Sequence, residues 1–416
     1  MQFSRRADGV SRKAIKLMRD PTAQLDNRPT FMNIMHDSTY NLLSPGCIKT
    51  STRTMFRFIN SSVNNLSDGL EIEVFKWFRE QLTPATGYTF WGPDNIFATN
   101  PSLVDDFNAF EAGMVTLMID VLPCLTAPKA WRARKRLQKG LLEYYQKGHY
   151  KNADKLIQER FRLHSELGLS LRDQAYLDLG MVIATMANSN WTPSWFLNNV
   201  YSRPALLAEL REEIELNATK TSFTEDGHRI KTISYKDLQH QCPLLNSCWR
   251  ETLRLLTPFP SSRIVTADHL VNGRYLLRAN TMVNIANGVI HYDTEIWGPD
   301  AHSFNPRRFL TTNSDGKTVD LPTPKNVHPA AFRAFGGGSV FCPGRHFAKA
   351  EIMSFVAVFI SGFDFVPPAG QDSVKYNLKM NTKRVPIGIT RPLEEFNVRV
   401  VRREGEKDVE WNLVDE

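Results

Sequence analysis

Long hydrophobic runs are scarce in this 416-residue chain. The longest uncharged stretch, Leu179 to Ser202, has the length of a membrane span but carries Asn188, Asn190, Asn198, Asn199 and Pro193. Amides of that kind are costly in lipid, so the stretch reads as a buried helix of a globular domain. Cysteine is scarce too: Cys47, Cys124, Cys242, Cys248 and Cys342 are scattered, with no C-x-x-C pair. That excludes a disulfide framework, argues against a zinc ribbon or thioredoxin-type site, and suggests a reduced, intracellular chain. No apolar core follows the first residues, so no secretory signal is visible. No G-x-G-x-x-G follows a strand pattern, which leaves the chain without a flavin or nicotinamide fingerprint of its own. Neither sign of charge dominates: 51 Lys+Arg against 44 Asp+Glu leave a net charge of +7. That modest excess favours anionic membrane surfaces or acidic partners and says little about fold.

What is present is ordinary globular usage, 42% hydrophobic and 23% charged, which excludes disorder, collagen and coiled coil. Residues 1–60 read as polar, irregular and turn-rich. Helical spacing runs from Glu71 to Gln81, Leu103 to Leu122, Lys129 to His164 in one or two pieces, Arg203 to Asn217 and Tyr235 to Leu256. Ser170 to Val200 reads as one long helix kinked at Pro193. Short alternating segments at Ile264–Val265, Arg274–Leu277 and Thr281–Ala286 suggest a small sheet. A loop-rich stretch, residues 299–345, precedes an apolar helix from Arg345 to Ile360, and short strands close the chain. The fold class is mainly α with a minor β part.

The densest chemical signal lies between Phe335 and Ala348. Three consecutive glycines, Gly336 to Gly338, are followed by Cys342-Pro343-Gly344 at the start of the last long helix. Such a backbone bends tightly and approaches a partner closely. Helix-terminal N–H groups near the Cys342 sulfur are expected to lower its pKa and stabilise a thiolate. A lone thiolate with amide donors aimed at it suits axial ligation of haem iron. A phosphate-cradling loop, or a plain turn around a buried cysteine, uses the same residue types.

F-x-x-G-x-x-x-C-x-G-x-x-x-A, met by Phe335, Gly338, Cys342, Gly344 and Ala348, resembles the haem-binding signature of the cytochrome P450 family. Upstream, Glu251-Thr-Leu-Arg254 matches the family's E-x-x-R helix, and Asn305-Pro-Arg-Arg308-Phe309 resembles its P-x-R-F segment. The resemblance runs from about Leu103 to Pro392. It implies a cytochrome P450 fold, Cys342 as metal ligand, haem b as cofactor with Phe335, Gly338 and Gly344 around it, and a structural ion triad of Glu251, Arg254 and Arg308. The i, i+3 spacing of Glu251 and Arg254 makes their pairing natural, although an exposed pair of that kind contributes little. Arg263 is similar in place to the residue that binds a haem propionate, and His291 is expected to be a structural hydrogen-bonder.

Departures from the family pattern are informative. Its oxygen-activating helix reads A/G-G-x-D/E-T, where this chain has Ala187 to Thr192. Aligned from Ala187, Asn190 takes the acidic place and Trp191 the Thr place, with Thr192 as a substitute after a one-residue slip. An amide cannot shuttle a proton as a carboxylate does. Asn there followed by Pro193 is similar to the sterol 7α-hydroxylase and prostacyclin synthase branch. Val340 stands where the family often places Arg or His for a propionate, and Lys49 and Arg53 are weak candidates for the other propionate.

The long helix arrives by residue 170, leaving no space for the family's whole N-terminal region. Residues 1–60 are therefore expected to be a remnant of a longer N-terminus, and residues 61–416 a haem-thiolate catalytic domain. The wall above the haem is expected to hold Ala184, Ala187, Asn188 and Trp191, with Ser261, Ser262 and Ile264 nearby.

The resulting expectation is a monooxygenase of fungal biosynthetic type, inserting one oxygen atom from O2 into an apolar terpenoid, steroid or polyketide. Electrons would come from NADPH through a separate NADPH–cytochrome P450 reductase. The alternatives are a reductase-independent isomerase or dehydratase and an inactive, shortened haem-binding chain. The basic run Lys129 to Arg136 is either a solvated face or a peripheral contact with an anionic surface, such as that of the endoplasmic reticulum. No nucleic-acid fold accompanies it.

Overall fold

The fold was analysed in a computed structural model that describes residues 9–18, 20, 29–119, 121–338, 341–383 and 388–416. Among the described residues thirteen helices have seven or more residues. The first six are α1 (Arg12–Met18), α2 (Phe31–Leu42), α3 (Lys49–Asn64), α4 (Val74–Trp91), α5 (Leu103–Ile119) and α6 (Pro128–Gln146). α7 (Lys155–Glu166), α8 (Leu171–Met186), α9 (Thr192–Tyr201) and α10 (Pro204–Ala218) follow. α11 (Tyr235–Gln241), α12 (Pro243–Leu256) and α13 (Arg345–Gly362) complete the set.

The β part is small and split. β1 (Leu70–Glu73), β2 (Thr219–Phe223) and β3 (Arg229–Ser234) precede α12. β4 (Ser261–Ile264), β5 (His269–Val271), β6 (Tyr275–Leu277) and β7 (Met282–Ile285) follow it as two antiparallel pairs, β4 with β7 and β5 with β6. β8 (Leu310–Thr312) pairs with β9 (Thr318–Asp320). β10 (Phe363–Val366), β11 (Asn397–Arg402) and β12 (Val409–Val414) close the chain. β11 is the centre of a sheet with β1 and β10, and β3 lies between a parallel β12 and an antiparallel β2.

One large core joins most of these elements, while α1 and the buried face of α2 pack in a smaller cluster of their own. α13 is buried on every side: Phe355 and Phe359 pack edge-on against Trp77 of α4, and Phe355 does the same against Phe78. A helix apolar all round belongs in the interior, and this one carries the segment just after Cys342 into the centre of the molecule.

Residues 31–60, expected to be irregular, are largely helical. The Ser- and Thr-rich sequence of α3 favours helix weakly, but Thr52, Met55, Phe56, Ile59 and Val63 form one buried stripe in it. Tertiary burial of that stripe overrides propensity. Lys49 and Arg53 point away from the interior: both are exposed, and Arg53 meets Glu416 at 3.3 Å.

The long uncharged helix is two helices. α8 starts with Ser170 as its cap, accepting from the Asp173 amide at 3.1 Å, and ends at Met186. A turn over 187–191 then precedes α9. Pro193 has no N–H to continue the ladder. The Asn188 side chain is diverted to the Ile389 amide at 3.0 Å, and that of Asn190 to the Thr83 hydroxyl at 2.8 Å. Side-chain bonds of this kind compete with helix, so the break begins earlier than the proline alone predicts.

Candidate active site

α12 is set into the core by a buried cluster of charge. Glu213 of α10 caps its start, accepting from the amides of Leu244 and Leu245 at 2.8 and 2.9 Å. Two turns on, Glu251 accepts from Arg254 Nε and Nη2, both at 2.8 Å. It also accepts from Arg308 Nε at 3.0 and 3.1 Å and from the Asn305 amide at 3.0 Å. Arg254 spends its remaining donors on the carbonyls of His291, Ala301 and Ser303, and Arg308 reaches Asp300 and the Trp297 carbonyl. The structure thus brings Glu251, Arg254 and Arg308 together, and with Asp300 the charges cancel. Glu251 and Arg254 are wholly buried, so this is not the weak surface pair that spacing alone allows.

Beyond α12 the chain enters a cavity of about 440 Å³. Several stretches line it, with Thr39 of α2, Phe90 of α4, Leu253 of α12 and Phe347 of α13 among the contributors. Phe335, Gly336 and Cys342 to Gly344 come from the glycine-rich loop; Met181, Ala184, Thr185, Asn188, Ser189 and Thr192 come from α8, the turn and the first residue of α9. Thr257 to Arg263 supply a third part and Gly388–Ile389 a fourth. A Cβ on Gly388 would fall inside contact distance of the Asn188 amide, so glycine is needed at that crossing. No acidic side chain lies among the described lining residues.

Of the expected residues, Ala184, Asn188, Thr192, Ser261, Ser262, Arg263, Phe335, Cys342 and Gly344 reach the cavity. Asn190, Trp191, Ala187, Ile264 and Gly338 do not. Asn190 turns towards α4, and Trp191 lies between the guanidiniums of Arg79 and Arg391, at 4.5 and 4.9 Å from its ring centre. Ala187 packs into the core, β4 carries Ile264 past the cavity rim into solvent, and Gly338 turns the loop at φ +68°. Val340 lies outside the described residues.

Thr192 therefore occupies the cavity face, in the register displaced by one residue. Its hydroxyl donates to the Asn188 carbonyl at 2.8 Å. The signal was periodic: 184, 188 and 192 share one face, and 181, 185 and 189 an adjacent one. Ser189, on that second face, helps hold the charge of Glu351, a wholly buried carboxyl on α13 that also accepts from Thr86 at 3.1 Å. Burial pushes Glu351 up to about 7.

Cys342 differs from expectation in one respect. The amides of Gly344 and Arg345 and the Arg345 charge do pull its pKa down, but burial is larger and holds the thiol above its usual value. A coordinated cation removes that proton outright. Elsewhere among the described residues no cluster of three or more His, Cys, Asp or Glu could hold a metal. A metal at Cys342 therefore has to bring its other ligands with it, as a tetrapyrrole iron does, and a single cysteine facing a cavity whose described lining holds no carboxylate fits such a group.

His291 is buried, pushed down to about 4 by burial and then by Arg254, and its Nε2 accepts from the Arg333 amide at 2.9 Å. A neutral structural hydrogen-bonder is the role this geometry gives it. Sequence reasoning missed Arg333 and Asn287, which also line the cavity; Arg333 stands only two residues before Phe335 of the signature.

A family model described as cytochrome P450 matches residues 101–391. The chain is 28% identical to the cytochrome P450 monooxygenase nodJ of Hypoxylon pulicicidum over 98% of this chain and 77% of that protein. It is 26% identical to a cholesterol 7-alpha-monooxygenase of Cricetulus griseus over 71% of this chain and 59% of that one. The solved structure of retinoic acid-bound cyanobacterial CYP120A1 superposes with a TM-score of 0.65 at 19% identity, covering 88% of this chain and 78% of that one.

Substituting Glu251→Gln strands part of two buried guanidinium charges. Unfolding by urea is expected to show a loss of about 3–5 kcal/mol, or no folded protein at all. A loss below about 1 kcal/mol, the range of an exposed pair, would contradict the burial of this cluster.

Proposed function

The chain belongs to the cytochrome P450 family and is a monooxygenase of it; from that premise we propose that it oxidises an apolar small molecule of terpenoid, steroid or polyketide type in secondary metabolite biosynthesis. The observation that carries this reading is the cavity itself. Met181, Leu253, Phe347, Ile352 and Ile389 supply apolar surface; hydroxyls, amides and the guanidiniums of Arg263 and Arg333, with no carboxylate among the described residues, supply the polar groups. Away from the two arginines such a lining favours a largely apolar ligand. One relative's printed name, cholesterol 7-alpha-monooxygenase, is of an enzyme acting on a molecule of that class.

Cys342 would ligate the haem iron, with Phe335 and Gly344 beside it and Arg263 towards a propionate. The cofactor, when bound, supplies the activation of O2, with electrons from NADPH by way of a separate NADPH–cytochrome P450 reductase. The protein's share is positional. Thr192 holds a hydroxyl at the cavity face, fixed through the Asn188 carbonyl, from which it can pass a proton inward. Asn190 is turned away and cannot titrate; a buried carboxyl, Glu351, stands behind Ser189. Because Trp191 lies outside the cavity, it gives no support to an isomerase.

A second proposal concerns the surface. No described helix is long and apolar enough to cross a membrane. Ile119, Val121, Leu122 and Leu125 are nevertheless exposed beside Lys129, Arg132 and Lys135 of α6. Arg134 turns inward, Arg136 is engaged by Asp106, and Lys135 lies over Trp131 at 3.6 Å. An apolar tip flanked by exposed cations suits peripheral contact with an anionic membrane.

Purified protein with reductase and NADPH is expected to oxidise cholesterol or farnesol as probes. In Thr192→Ala, NADPH consumption should continue while product per NADPH falls roughly ten-fold or more. Conversion of a lipid hydroperoxide without NADPH, and none of these probes with it, would favour the isomerase instead. Lys129→Glu with Arg132→Glu is expected to weaken binding to phosphatidylserine vesicles at low salt by about 2 kcal/mol or more. Unchanged binding removes the membrane proposal.

A further inference from the structure

Two guanidinium groups line the same cavity, and no described carboxylate pairs with either. Arg263 is fixed by the backbone: its Nη1 donates to the Ser262 carbonyl at 2.8 Å and its Nη2 to the Gly337 carbonyl at 3.0 Å. Arg333 is fixed by an amide relay. Its Nε donates to Asn287 Oδ1 at 3.0 Å, and Asn287 Nδ2 donates in turn to the Phe259 carbonyl at 2.6 Å. The Arg333 main chain is pinned as well, through its N–H to His291.

Holding two like charges on one wall is unfavourable unless an anion lies between them. Burial and then the Arg263 charge both act against the Arg333 cation. The backbone is nonetheless shaped to keep it there. A Cβ on Gly337 would come within 3.0 to 3.2 Å of three guanidinium atoms of Arg333, so any larger residue at 337 would push that group off its present place by a few tenths of an ångström. Both cations are thus positioned by partners that leave their charge uncompensated, which is the arrangement of a site waiting for carboxylate.

The geometry points to Arg333 as a second anion-binding residue of this cavity, forming with Arg263 a two-cation seat for the propionates of haem. The inference rests on the haem reading above and goes beyond it in one particular. The signature position two residues before Cys342, where the family often has a cation, holds Val340. Arg333, on the other side of the glycine run, supplies the missing charge.

The test compares wild-type protein with Arg333→Leu, Arg333→Lys and Arg263→Leu in haem transfer to excess apomyoglobin, alongside the midpoint potential of the iron. Loss of one charge-assisted contact should speed haem loss from Arg333→Leu roughly ten-fold or more. Its potential should also move negative, with Arg333→Lys in between.

Repeating the transfer with haem dimethyl ester separates contact from scaffold. With the propionates esterified, the Arg333→Leu penalty relative to wild type should vanish. Retention equal to wild type in Arg333→Leu, or a penalty just as large with the diester, overturns the inference and leaves Arg333 as a strut for Asn287 and Gly337. A wild-type chain that takes up no haem overturns the haem reading itself, a different and recognisable failure.

Discussion

Glu251 is the point on which the site is hung. One buried carboxylate accepts from Arg254 on its own helix and from Arg308 nearly sixty residues later, and the spare donors of both arginines fasten the carbonyls of residues 291–303. Desolvating such a cluster is expensive, and the attraction inside it offsets the cost only when every donor is used. Here nearly all are. The consequence reaches past the cluster: α12 is fixed at both ends, by Glu213 at its start and by the arginines near its finish. The chain that leaves it, Thr257 to Arg263, therefore meets the cavity in a set place.

The cavity combines an apolar lining with a few directed polar groups, and each of these is fixed by something behind it. Thr192 is held by the Asn188 carbonyl, Asn188 by the Ile389 amide, and Arg333 by Asn287. Cys342 shows the balance most plainly. Amides and a guanidinium favour its thiolate, burial opposes it, and burial is the larger effect in the protein by itself. The sulfur is thus expected to stay protonated until a coordinating cation takes the proton's place on it and the proton leaves to solvent.

Much of this was legible in the sequence where the signal was chemical and local. Cys342 with its glycines, Glu251 with Arg254, and Arg308 are specific residue types at specific spacings, and the structure assembles them. Legibility failed where tertiary contact decides. α3 looked like a turn-rich tail because Ser and Thr mask its apolar stripe, which only its burial makes evident. The break after Met186 is set by partners of Asn188 and Asn190 that are distant in sequence, Ile389 and Thr83. That break moved Asn190 and Trp191 off the cavity and brought Thr192 onto it. β2 and β3 were missed because the hairpin they form has an almost wholly exposed outer strand without apolar alternation, and the other partner of β3, β12, lies about 180 residues further on. Arg333 carried no motif; only its contacts with Asn287 and Gly337 distinguish it from a surface arginine.

The claim on which the rest depends is that Cys342 binds haem iron as a thiolate. The reduced, carbon monoxide-bound difference spectrum of the purified 416-residue protein tests it directly. A Soret maximum strongly displaced to the red, lost in Cys342→Ser, is the predicted result, since a thiolate pushes electron density onto the iron. A blue-shifted band of the kind a neutral axial ligand gives, or protein without haem, would contradict it.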